Sequence, residues 1–215
     1  MGASHEFQEL LKKAEQGDLE SQFKVGCRYR DGKGVGKDTS EAASWFEKAA
    51  KQGHAYAQNS LATRYMNGDG RTYNSKEATK WYEQAAKQGN ALAQVSLGNC
   101  YEYGDGVPQN YKEAMRWYGE AVKLGDPRAE AHLGNLYKER KGEPENPENA
   151  FKLFVSSADK GDEVGQYLLA ECYIKNYGTS QNLDVTQRIN MAKFWLKKSA
   201  AQGHEIAQHL LETLP

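Results

Sequence analysis

Cysteine and proline are scarce, and neither sign of charge dominates. The 215 residues hold 3 Cys and 5 Pro. Three cysteines are too few, and an odd number, for the disulfide framework of a small secreted domain. So little proline, beside 21 Gly, argues against a Pro-rich disordered chain. Lys and Arg number 28 and Asp and Glu 29, a formal net charge of -1. Proteins that bind nucleic acid or anionic membranes favour a basic excess, so neither partner is expected. No apolar run reaches the roughly 18 residues that cross a bilayer, and no signal-peptide core follows Met1. The chain as written reads as soluble and cytoplasmic, or as periplasmic or secreted if a signal peptide was trimmed from it. What it does have is aromatic surface, with 13 Tyr and 4 Trp, enough for a packed fold despite a mean hydropathy of -0.86.

A fixed period organises the rest. Gly17, Gly53, Gly89, Gly125, Gly161 and Gly203 are separated by 36 residues four times and then by 42. Val25, Leu61, Leu97, Leu133 and Leu169 keep the same step, with Leu211 following after 42. Tyr29, Tyr65, Tyr101, Tyr137 and Tyr173 never leave it. Trp45, Trp81 and Trp117 share a column in which Leu153 stands next, before Trp195 resumes it.

Each period predicts two helices. In the second, Ala57, Leu61, Ala62 and Tyr65 form one apolar stripe at helical spacing. Asn67-Gly68-Asp69-Gly70 then breaks the chain, because glycine accepts the positive φ of a tight turn. A trailing helix begins near Asn74 or Ser75, either a good N-cap, and carries Ala78, Trp81, Tyr82, Ala85 and Ala86. Gly89 falls where a left-handed residue ends a helix. Small residues at Gly26, Ala62, Gly98, Gly134 and Ala170 let a neighbouring helix come close, with Trp or Tyr filling the space beside them. Neither helix buries its stripe alone, so the units must stack. The expected fold is all-α: one right-handed solenoid over 1–215, with repeats at 18–53, 54–89, 90–125, 126–161 and 162–203 and half a repeat at each end. The fourth turn looks degenerate, with Gly142-Glu143-Pro144 in place of Gly-x-Gly and Pro147 opening the next helix. Six extra residues within Asn176–Asn190 predict a longer loop in the fifth unit.

Ala93, Leu97, Gly98, Tyr101, Gly104, Gly106, Val107, Asn110, Ala114, Trp117, Tyr118, Ala121 and Gly125 together resemble the Sel1-like repeat, a relative of the tetratricopeptide repeat. The resemblance covers nearly the whole chain and departs at the fourth turn and at Leu153. It implies a scaffold. Sel1-like proteins act as adaptors in quality control, cell-wall synthase regulation, host interaction and signalling, and some look like immunity partners of bacterial toxins. A cysteine-rich branch linked to β-lactam binding pairs two cysteines per repeat, which this chain lacks.

Other motifs dissolve on inspection. Gly32–Thr39 is similar to a phosphate loop, but Asp31 replaces its first glycine, Asp38 separates Lys37 from Thr39, and no strand precedes it. Asp69 and Asp105 lack the further acidic positions of a calcium loop. The five histidines do not cluster; His54 and His204 occupy equivalent places after a glycine, in distant repeats. Cys27, Cys100 and Cys172 all fall in leading helices, too far apart to pair, and no His–carboxylate pairing activates any of them. Neither metal, cofactor nor catalysis is expected.

In a tetratricopeptide-like superhelix the leading helices line the concave face. At 100° per residue the side chains opposite the packing stripe are Phe23, Asn59, Val95, Ala131 and Tyr167, and Cys27, Thr63, Asn99, Asn135 and Glu171. The candidate binding residues are therefore Phe23, Asn59, Thr63, Val95, Asn99, Asn135, Tyr167 and Glu171. Amides among isolated aromatic and aliphatic groups suit an extended or helical peptide. The expectation is a monomeric, non-enzymatic scaffold for another protein or peptide. The alternative is a module for a cell-wall glycan or small molecule.

Overall fold

The computed structural model describes residues 4–139, 141–142, 145–179 and 182–214. Among them are twelve α-helices and no strand. The leading helices are α2 (Leu19–Asp31), α4 (Ala55–Asn67), α6 (Ala91–Tyr103), α8 (Pro127–Lys138), α10 (Glu163–Lys175) and α12 (Glu205–Thr213). The trailing helices are α1 (His5–Glu15), α3 (Thr39–Lys51), α5 (Ser75–Lys87), α7 (Tyr111–Lys123), α9 (Pro147–Asp159) and α11 (Val185–Ala201). The chain forms two compact units, Met1–Gln109 with α1 to α6 and Asn110–Pro215 with α7 to α12. Within each unit every helix packs on the next, and in the second α8 also meets α10. The all-α stack of helix pairs expected from the period is what forms.

Capping explains where the helices start. After each glycine of the 36-residue column comes a residue whose side chain accepts a backbone N–H of the first turn: Asp18, His54, Asn90, Asp126, Asp162 and His204. Trailing helices are capped by Asp38, Asn74, Asn110, Asn146 and Asp184, and Pro147 takes the first helical position as expected. In the Gly-x-Gly turn the two glycines do different work. Gly68 closes α4 at φ 71°. Gly70 lies against the start of α3, where a Cβ would stand 2.0 Å from the Thr39 carbonyl oxygen. The turn of one repeat thus rests on the trailing helix of the repeat before it.

The core follows the columns. Phe46, Leu61 and Val25 in the first unit, and Phe154, Leu169 and Leu196 in the second, are fully buried. At two of the small residues the neighbouring ring comes from the position after the Trp column: a Cβ on Gly26 would meet Phe46 at 2.6 Å, and one on Gly134 would meet Phe154 at 2.7 Å. A buried amide joins successive helices. Gln22 Nε2 donates to Ala14 O at 3.2 Å while Gln52 Nε2 donates to Gln22 Oε1 at 2.7 Å. Gln58 and Gln88 repeat the arrangement, as do Gln166 and Gln202. In the fourth repeat the amide pair becomes an ion pair, Lys160 Nζ to Glu130 Oε1 at 2.7 Å.

Two local expectations need revision. Gly142 does not stand for the whole turn motif. It keeps the place of the second glycine, at φ 86°, and a Cβ there would lie 3.0 Å from the Met115 sulfur; Glu143 and Pro144 lie outside the described residues. The extra length of the fifth unit is mostly helix, since α11 has 17 residues where α9 has 13. Its capping box, Asp184 with Gln187, sets that earlier start. All three thiols are free, with Cys100 and Cys172 buried and Cys27 half-buried.

Candidate binding surface

The outward side of a leading helix begins with its second residue. That column reads Glu20, Tyr56, Leu92, Arg128, Val164 and Ile206. Four members are large, apolar and open to solvent: Tyr56 at 58%, Leu92 at 42%, Val164 at 39% and Ile206 at 60%. Residues three and seven positions on share the same helix face, which brings in the columns of Phe23 and Cys27.

Phe23 is half-buried and stacks on His54, with centroids 4.6 Å apart. Tyr56 adds a tilted ring 6.3 Å from Phe23 and 6.2 Å from His54. His54 Nδ1 accepts the Ala57 N–H at 3.1 Å, so its proton must sit on Nε2, which faces Glu20 Oε2 at 3.3 Å. The second unit repeats the device: Tyr167 stacks on the capping His204 at 4.8 Å, and His204 Nδ1 accepts the Ala207 N–H. An aromatic ring in this column is matched by histidine at the next cap. Where the column holds Asn59, Val95 or Ala131, the next cap is Asn90, Asp126 or Asp162.

The remaining expected residues divide. Thr63 Oγ1 donates to Asn59 O at 3.0 Å and lies 3.1 Å from the Tyr82 hydroxyl, while Asn59 Oδ1 is buried without a partner. Val95 is only 5% exposed, which leaves a ligand little of it to touch. Asn99 is half-buried, and Asn135 Nδ2 donates to Glu139 at 3.0 Å. Glu171 bridges two leading helices, accepting from Lys138 and Lys175, each at 2.8 Å. Burial raises its carboxyl pKa, but those two lysines outweigh burial and hold it below the usual carboxylate range. The structure gathers Phe23, His54 and Tyr56 in one unit, and Tyr167 with His204, and Glu171 with Lys138, in the other. Tyr56, Leu92, Val164 and Ile206 are absent from the expected set, and His54 and His204, equivalent in the sequence, were not read as caps. Each sits in a 36-residue column, so its position was legible.

The Sel1 repeat model matches residues 19–54, 55–90, 91–126, 127–162 and 164–204. The chain belongs to the Sel1 repeat family. A Sel1 repeat protein from Oxalobacter formigenes is 37% identical, with a TM-score of 0.84, over 91% of this chain and 76% of that one. A protective antigen of uropathogenic Escherichia coli strains is 35% identical with a TM-score of 0.82. That match covers 94% of this chain, which spans 42% of the antigen. An immunity protein from Pseudomonas aeruginosa shares the fold at 19% identity and a TM-score of 0.55, over 91% of this chain and 72% of that one. A search of the curated proteins returns no match. Among the described residues of this Sel1 repeat chain, no helix is long and apolar enough to cross a membrane. No group of three or more His, Cys, Asp or Glu among them is placed to hold a metal ion.

Proposed function

We propose that this Sel1 repeat protein is a non-enzymatic scaffold whose leading helices hold a partner protein or peptide on their outward stripe. One contrast carries the reading. The packing columns barely change from repeat to repeat, whereas the outward stripe varies and keeps Tyr56, Leu92, Val164 and Ile206 in solvent. Stacking needs constant packing residues. Varied exposed apolar side chains serve no stacking purpose, and Tyr56 among them is of the aromatic kind that dominates binding energy in protein interfaces. Sel1 repeats elsewhere generally act in protein–protein interaction, which favours the same reading. A glycan reader would instead need ring faces open to a sugar, and Phe23 and Tyr167 are stacked on histidines.

The test is photo-crosslinking in the source cell, with the reactive residue placed at Tyr56 or Leu92 and, as a control, at the exposed trailing-helix positions Lys80 and Lys112. The proposal expects one protein captured from the first pair and not from the second. With the partner in hand, Tyr56→Ala should weaken binding by about 1–2 kcal/mol, while thermal stability moves by within about 0.5 kcal/mol. Asn99→Ala and Asn135→Ala should each cost about 0.5–1.5 kcal/mol of affinity. Crosslinks confined to Lys80 and Lys112 would overturn the assignment.

A further inference from the structure

The last trailing helix departs from the others on its solvent side. Elsewhere that side is laced with acid–base pairs: Glu77 with Lys80 at 3.2 Å, Glu113 with Arg116 at 2.8 Å, and Glu47 with Lys51 and Glu83 with Lys87 at 2.6 Å. In α9 one charge of each kind of pair is left, as Lys152 and Asp159. In α11 the columns of Glu77 and Lys80 hold Met191 and Phe194, and those of Glu47 and Lys51 hold Lys197 and Ala201. The result is a helix with Arg188, Lys193, Lys197 and Lys198 and no Asp or Glu, where every other trailing helix has at least two acids.

The exchanged residues form one exposed ridge. Positions 191, 194, 197 and 198 follow one another at helical spacing. Met191 is 36% and Phe194 48% exposed. Phe194 stands edge-on to Trp195, with centroids 5.0 Å apart, and Lys198 Nζ lies 4.6 Å from the Phe194 ring and 4.8 Å from the Trp195 ring. The ring is thus held in place before anything binds, which lowers the entropy cost of docking on it. Met191, unbranched and polarizable, adapts to the shape of what it meets. Among the described residues, no carboxylate pairs with Lys197 or Lys198. The stack does not need this ridge, because α11 buries Ala192, Trp195, Leu196 and Ser199 instead. An apolar pair beside uncompensated positive charge suits a ligand that is apolar at its centre and acidic around it. Helices that lie in a membrane surface enter it with a whole apolar face. Two side chains fall short of that, and their area matches a protein segment.

We propose that the solvent face of α11 docks an acidic segment of a partner protein, with a large apolar side chain of that segment on Phe194 and Met191 and its carboxylates on Lys197 and Lys198. The inference concerns a trailing helix, goes beyond the leading-helix stripe, and stands even if that stripe binds nothing.

The probe is the synthetic peptide acetyl-Glu-Glu-Leu-Phe-Glu-Glu-Leu-Glu-amide, titrated into the full chain by calorimetry and by heteronuclear NMR. Wild type should bind it saturably, with shifts centred on Met191, Phe194, Lys197 and Lys198, and more weakly as salt rises. Met191→Glu combined with Phe194→Lys rebuilds the pair that α5 carries in these columns. That variant should keep the melting temperature and weaken binding about tenfold or more, since the apolar contact is lost. Lys197→Glu introduces the residue of α3 and α5 at that column and should weaken binding about two- to tenfold. The same peptide with glutamine for every glutamate should not bind measurably. Absent binding to wild type, unchanged binding to the double variant, or equal affinity for the glutamine peptide would overturn the proposal. So would sedimentation of the chain with vesicles of equimolar phosphatidylcholine and phosphatidylserine while the peptide fails to bind, which would mark the face as a membrane contact.

Discussion

Gly70 and Gly89 have nearly the same backbone, at φ 74° and 81°, but opposite surroundings. Nothing lies within 4 Å of where a Gly89 Cβ would be. A Gly70 Cβ would stand 2.0 Å from the Thr39 carbonyl oxygen, 2.4 Å from its carbon and 2.9 Å from the Ser40 nitrogen. Alanine at either site incurs the left-handed penalty of about 1–2 kcal/mol. At Gly70 the turn must also retreat by more than about 1 Å, since carbon contacts settle near 3.5–4 Å. That movement pulls Arg71 from Glu47, now 2.8 Å away, and from Ser44 at 3.3 Å. Gly89→Ala should therefore cost about 1–2 kcal/mol, and Gly70→Ala about 4 kcal/mol or more, at the exceptional end for a single change. For a chain of this length, each 1 kcal/mol lowers the melting temperature by about 2–4 °C. Melts followed by far-UV circular dichroism should drop by about 2–8 °C for Gly89→Ala and by about 8 °C or more for Gly70→Ala. Asparagine, which tolerates the left-handed region as Asn176 does at φ 54°, should largely restore position 89 and not position 70. Equal losses at the two sites would show that Gly70 is kept for its φ alone and that the turn does not bear on α3.

Four further outcomes follow from the packing and charge. Leu97 is 1% exposed, so Leu97→Ala should cost about 2–5 kcal/mol in denaturant unfolding. Burial pushes the Cys172 thiol up to about 12 and raises Cys27 and Cys100 as well; timed thiol titration should find half-buried Cys27 reacting first, the other two only on unfolding, and three thiols in the unreduced denatured chain. Glu171 has a folded pKa below its unfolded value, so its stabilisation is present above about pH 4.3 and fades as pH falls through the lower folded value; Glu171→Gln should lose about 1 kcal/mol at pH 7 and show a shallower fall of melting temperature in acid. His54→Ala removes a cap and should cost about 0.5–2 kcal/mol in thermal melts, whereas His54→Asn, the residue capping α6, should recover most of it.

The columns make the helix pairs legible in the sequence, because residues such as Leu61, Tyr65 and Gly68 keep both identity and spacing. The cap column was not read for the opposite reason. Asp18, His54 and Asn90 share a role, acceptance of a first-turn N–H, but no identity, and a search for identical letters passes over them. The outward stripe was partly read. The 100° angle gave Asn59 and Thr63 their direction, but direction is not cover: Val95 points as Asn59 does and is 5% exposed, because neighbouring side chains close over it. Tyr56 lies on the same face, but its column of Glu20, Leu92, Arg128 and Val164 mixes charged with apolar letters and carries no single signal. Leu153 in the tryptophan column was legible as a departure, but letters alone do not show whether neighbouring side chains fill the space an indole leaves.

Several exchanges in this chain come in pairs, and the pairing constrains how its surface can vary. Phe23 goes with His54 and Tyr167 with His204, since a ring in that column lies where the next cap must sit. A histidine satisfies both neighbours at once, accepting the first-turn N–H through Nδ1 and stacking its face on the ring. Aspartate or asparagine caps as well but offers no aromatic face, and these occur where the column holds Asn59, Val95 or Ala131. The same logic holds in the interior, where Glu130 in place of glutamine is met by Lys160. A new residue on the outward stripe is thus tolerated when the cap of the following helix changes with it. The outward surface can then diverge from repeat to repeat while Leu61, Phe46 and their equivalents keep the stack unchanged.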